Sequence, residues 1–149
     1  MTTISKENGL SSNYIQTIFE DFEYNMWFGT FGNGLIEMPV YKFNFYKPEF
    51  ATDIKSILVD STNFIWLGST IGLVKYFPEN KTQSVLFDAK NGFVKDQVNA
   101  LLRDKNGKIW IGTELNGVFK FDATTNQFEN FSKKNKLASI SINCIAQTK

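Results

Sequence analysis

Three tryptophans at near-regular spacing constrain this chain more than any other feature. Trp27, Trp66 and Trp110 are 39 and 44 residues apart. Each stands six residues after an aspartate (Asp21, Asp60, Asp104) and two before a glycine (Gly29, Gly68, Gly112). A second glycine follows in every case (Gly34, Gly72, Gly117), and an apolar residue comes after it. Agreement at this many offsets marks an internal repeat, and a repeat of this length is one supersecondary unit stacked on its neighbours.

Each unit reads as four short strands. The first is Tyr14–Phe19, Asp53–Leu58 or Gln97–Leu102, apolar on both faces as a sheet covered on both sides requires. A tight connection such as Asp104-Lys-Asn-Gly107 comes next, with Asp accepting a local backbone hydrogen bond and Gly supplying positive φ. The second strand carries Trp-x-Gly. Period-two geometry puts Trp and Gly on one face, and the bare Gly leaves room for a neighbouring ring or sheet. The third strands are Leu35–Met38, Leu73–Phe77 and Val118–Phe121, and an outer strand such as Gln127–Phe131 completes the unit.

Four strands in about 40 residues make a propeller blade, a twisted sheet that packs face to face on the next. A β-sandwich does not require the same Asp, Trp and Gly spacing in each part of the chain. The expectation is therefore an all-β partial propeller, with blades at 14–47, 53–87 and 97–131. Ser5–Leu10 matches Ser132–Leu137, the connector after the third unit, so 2–4 is expected to be the outer strand of a preceding blade. Residues 141–147 align with a first strand, as if the chain were cut from a larger ring. Cys144 then falls where other units have Thr17, Ser56 and Ala100, a small core position.

Composition removes several chemistries. The chain has no His, which excludes a Ser-His-Asp triad and a His metal site within it, and one Cys excludes an internal disulfide. The net charge is +1 with Arg103 the sole arginine, so no electrostatic footprint for nucleic acid is present. No apolar run approaches the roughly 18 residues of a membrane span. No catalytic residue, metal or cofactor is expected. Asp21, Asp60 and Asp104 recur once per blade and read as turn caps, not an acidic cluster. Trp27, Trp66 and Trp110 read as packing between blades, not as sugar-stacking platforms.

Ligand candidates lie where the units differ. The turns between second and third strands and the connectors between blades emerge on one rim, which holds Phe31, Asn33, Thr70, Glu114 and Asn116. Asn and Glu suit hydroxyl-rich ligands, and Phe31 offers a stacking face. Lys133, Lys134 and Lys136 read as a solvated loop. Three blades leave two sheet faces uncovered, so self-association is also expected.

The run from Asp104 to Val118, with the Asn8-Gly-Leu and Asn91-Gly-Phe connectors, resembles the two-component regulator propeller repeat. Asp60-Ser-Thr-Asn departs by lacking the turn glycine, and the second unit has one residue fewer before Gly72. The resemblance implies a seven-bladed, periplasmic sensor propeller of a hybrid two-component protein from Bacteroidetes-type bacteria. It implies an oligosaccharide or related ligand, with kinase and membrane segments elsewhere in the parent. A protein-interaction scaffold is the alternative, and part of a propeller lyase or glycosidase a weaker one.

Overall fold

A computed structural model describes residues 5–38, 44–46, 48, 53–60, 64–77, 84–137 and 139–148. The strands form three four-stranded antiparallel sheets, each in chain order. The first holds β1 (Ile15–Glu20), β2 (Met26–Thr30), β3 (Leu35–Met38) and β4 (Asn44–Tyr46). The second holds β5 (Ile54–Val59), β6 (Ile65–Ser69), β7 (Gly72–Tyr76) and β8 (Val85–Phe87). The third holds β9 (Val98–Arg103), β10 (Ile109–Thr113), β11 (Val118–Asp122) and β12 (Gln127–Asn130). The first strands converge, β5 lying against both β1 and β9. Strands meeting on one side and splaying on the other give the blade arrangement of a propeller, and the three sheets do not close a ring.

The core lies between the sheets. Trp27, Leu35, Ile54, Ile65 and Val74 fill the space between the first and second, and Trp66, Leu73, Val98, Ile111 and Phe119 that between the second and third. Every residue of β6 is buried, as its place in the middle sheet demands. Trp66 is 1% exposed, stacks on Phe87 at 5.5 Å and meets Phe121 of the third sheet at 5.1 Å. Such aromatic pairs add about 0.5–1.5 kcal/mol each beyond area burial.

The glycine after each tryptophan marks the closest approach of consecutive blades. A Cβ on Gly29 would lie 3.0 Å from the carbonyl oxygen of Ile54, and one on Gly68 2.7 Å from that of Val98. Each aspartate does more than cap its turn. Asp104 accepts from the backbone N–H groups of Asn106 and Lys108 on one oxygen and from the Trp110 indole on the other, at 2.8 Å. Asp21 and Asp60 hold Trp27 and Trp66 in the same way, at 2.8 and 2.9 Å. One carboxylate thus fixes both the turn and the rotamer of the packing ring.

Several expectations change. Residues 141–147 form no strand and pair in none of the three sheets. They nevertheless lie where a first strand would. Ile142 donates its N–H to Thr113 O at 2.9 Å, and its Cγ2 would be 2.7 Å from a Cβ on Gly112. Cys144 is exposed and not a core residue. The lysine run is not a loop but the one-turn helix α1 (Phe131–Asn135), started by Asn130 accepting from the Lys133 N–H and ended by Lys136 in the left-handed region. Trp110 is only half-buried and meets Phe131 edge-on at 4.9 Å. Residues 2–4 and the Ser61–Asn63 turn lie outside the described residues.

Candidate functional site

The turns between second and third strands are built alike. The hydroxyl after each Trp-x-Gly (Thr30, Ser69, Thr113) is buried and donates to the carbonyl of the glycine that ends the turn, at 2.7, 3.0 and 2.8 Å. Bonds to the inter-blade connectors then hold the turns against the starts of the first strands. Phe31 donates its N–H to Tyr14 O at 3.1 Å and Glu114 donates to Gln97 O at 2.9 Å. Gly32 N–H reaches across to the Asp53 carboxylate of the next blade at 2.6 Å.

Turns and connectors therefore share one end of the blades, and the five rim candidates sit there in two conditions. Phe31 (58% exposed), Asn33 and Thr70 face solvent on the first and second blades. Glu114 and Asn116 are half-buried and engaged. Asn116 Nδ2 and the Leu115 N–H both donate to Asp96 at 2.9 Å. Glu114 accepts from Asn99 Nδ2 at 2.7 Å, Asn99 accepts from Gln97 Nε2 at 2.8 Å, and Asn99 Nδ2 also lies 3.4 Å from Asn143 Oδ1. This chain of amides around one carboxylate spans the third blade and the 139–148 segment. It offers donors and acceptors in alternation, the pattern a polyhydroxylated molecule needs.

Gln97, Asn99 and Asn143 were not singled out by the turn-based reading of the sequence. A signal was available, since each is a polar residue at the start of an otherwise apolar first strand. At the opposite end, where the Asp104 turn lies, Phe19, Ile57, Val59, Leu101 and Arg103 line an open groove of about 600 Å³. Its walls are largely the apolar sides of first strands.

Carboxylates at the turns are held ionised. Burial works against the charge of Asp21, but the Trp27 indole and the N–H groups of Asn25 and Glu23 outweigh it and set its pKa below the usual range. Asp104 is lowered in the same way, burial opposing, with Trp110, Lys108 and Asn106 prevailing. Both are tied to the turn and to the packing ring. Among the described residues no three His, Cys, Asp or Glu side chains gather as a metal ion would require.

Stacked four-stranded sheets converging on their first strands, each with an Asp-bonded Trp and a contact Gly, define the chain as β-propeller blades. More narrowly, the family model described as "Two component regulator propeller" matches residues 9–32 and 92–115, which hold the first two strands of the first and third blades and the connectors before them. The second blade, which lacks the turn glycine, is outside both matches. Among solved structures, the chain is similar to the extracellular domain of a hybrid two component system, BT3049 of B. thetaiotaomicron. Identity there is 25% over 99% of this chain and 21% of that one, with a TM-score of 0.80. A second likeness is to the extracellular domain of BT4673 of the same organism, at 24% identity over 97% of this chain and 20% of that one, TM-score 0.74. The fold also matches PorZ, a surface component of the type-IX secretion system of Porphyromonas gingivalis, at 16% identity, 84% and 19% coverage and TM-score 0.53. The chain thus spans about a fifth of the length of these structures. No curated protein matches it.

Proposed function

We propose that this chain is part of the extracytoplasmic sensor propeller of a two-component regulator, and that its rim binds a small carbohydrate-derived ligand without catalysis. The observation that carries the reading is the amide and carboxylate chain Gln97, Asn99, Glu114 and Asn143, set beside the Asp96–Asn116 pair. The repeat class and the extracellular domains it resembles support the sensor role and the placement outside the cytoplasm. No helix among the described residues is long and apolar enough to cross a membrane. Under this proposal, anchoring and kinase activity are assigned to other segments of a longer parent.

The test is the thermal midpoint of the chain with a panel of neutral and acidic oligosaccharides against polyol controls. A ligand held at 100 times its Kd stabilises by about 2.7 kcal/mol, which shifts the midpoint by several degrees. Asn99→Ala should abolish the shift while leaving the unliganded stability within about 1 kcal/mol of the unsubstituted chain, since it removes half-buried polar contacts and no core packing. A panel without any stabilising saccharide, or a shift that survives Asn99→Ala, would sink the reading.

A further inference from the structure

Each first strand contains one residue too many. Register in the first sheet jumps between the Ile15–Thr30 and Thr17–Gly29 pairs, leaving Gln16 unpaired. The second sheet repeats this between Ile54–Ser69 and Ser56–Gly68, leaving Lys55, and the third between Val98–Thr113 and Ala100–Gly112, leaving Asn99. These are β-bulges, which bend a strand and re-aim a side chain.

The neighbours of the extra residue say where it is placed. Ile54 reaches forward to Gly29 of the preceding blade, while Ser56 lies against Gly68 of its own sheet. Val98 and Ala100 do the same at Gly68 and Gly112. Both sheet faces are thus taken by the residues on either side. The inserted residue has neither face open to it, and it lies in a strand that forms one edge of its sheet and packs against the first strand of the neighbouring blade. Ile142 occupies at Gly112 the place that Val98 occupies at Gly68, so Asn143 is the fourth member of the series.

We propose that Gln16, Lys55, Asn99 and Asn143 form a polar collar at the axis that binds a small hydroxyl-rich molecule bearing one carboxylate, a sugar acid. Two observations give the collar its preference. Lys55 is only part-buried and makes no ion pair among the described residues. Gln16 Nε2 is buried without a hydrogen-bond partner. A cation and a vacant donor on adjacent blades match a carboxylate. On the other side, Asn99 and Asn143 offer amides to hydroxyls, and Glu114, already taken by Asn99, keeps the anionic end of a ligand near Lys55. This rests on the sensor reading and narrows its ligand to an acidic sugar.

The experiment is a titration of the ¹⁵N-labelled 149-residue chain with D-glucuronate and with D-glucose, following the side-chain amide signals of Gln16, Asn99 and Asn143. Glucuronate should move these signals and bind at least tenfold more tightly than glucose. Lys55→Met, and Lys55→Gln as a second variant, should erase that tenfold preference with the backbone spectrum otherwise unchanged. Equal binding of the two sugars, or a preference that survives both Lys55 variants, would overturn the collar. Shifts confined to Phe31 and Thr70 would overturn it too, while leaving a ligand-binding rim and the sensor role in place. No response to either sugar or to the oligosaccharide panel would overturn both.

Discussion

Gly68→Ala tests how the blades stack. The added Cβ would lie 2.7 Å from both Cγ1 and the carbonyl oxygen of Val98, and would also press on Ser56 Oγ. The side-chain conflicts can relax by rotation at about 0.5–1.5 kcal/mol. The Val98 carbonyl cannot, because it belongs to the first strand of the next sheet. Restoring ordinary contact requires the third blade to retreat by about 0.7 Å, and a gap of that size forfeits a quarter to a half of the dispersion energy of the contacts it opens. Overpacking of this kind costs about 1–3 kcal/mol, and the upper half of that range is expected here. Gly112→Ala should cost less, near 1 kcal/mol. It meets only side chains, chiefly Ile142 at 2.7 Å, in a segment that no ladder holds. Urea unfolding followed by tryptophan fluorescence reads both. With a slope of about 1–3 kcal/mol/M, the Gly68→Ala midpoint should fall by about 1 M. Adding Ser56→Ala should recover only a minor part. Full recovery in that double variant, or an equal loss for Gly112→Ala, would refute the claim that backbone contact between blades sets the cost.

Three further outcomes are expected. Tyr24 holds φ 64° at the Asp21 turn with an 80% exposed side chain, where the third blade has Gly107 at φ 78°. Tyr24→Gly should therefore stabilise by up to about 1 kcal/mol in the same urea assay. Asp21 and Asp104 have pKa values lowered on folding, burial opposing and the Trp and backbone hydrogen bonds prevailing. Their contribution is full above the unfolded value of about 3.9 and is lost as pH falls through the lower folded values. The thermal midpoint should thus drop below about pH 4, and less steeply in Asp21→Asn/Asp104→Asn. Finally, Ile18 (57% exposed) and Phe45 (54%) stand at the two ends of a cross-strand row of the first sheet that also holds the half-buried Phe28 and the buried Ile36. The chain should self-associate in light scattering at micromolar concentration, and Ile18→Lys/Phe45→Lys should make it monomeric.

The Asp, Trp and Gly spacing makes the blades legible in the sequence alone, because each residue answers a local demand: a turn to cap, a ring to pack, a place with no Cβ. The candidate site was less legible. Phe31, Asn33, Thr70, Glu114 and Asn116 stand out as differences between repeats, yet Glu114 and Asn116 are already engaged, by Asn99 and Asp96. Asn99 escaped notice because its role depends on a bulge, and a bulge is a property of the pairing between two strands.

The sequence by itself determined the repeat, the strand order within a blade and the chemistry that a chain without His and with one Cys lacks, since these follow from residue type and periodicity. Tertiary structure alone decided which edges meet. It set Val98 against Gly68, left 141–147 outside any strand ladder and Cys144 exposed, and turned Gln16, Lys55 and Asn99 out of the ladder. The physical reason is that a side chain's direction in a sheet depends on register, and register is fixed only when neighbouring strands and blades pack.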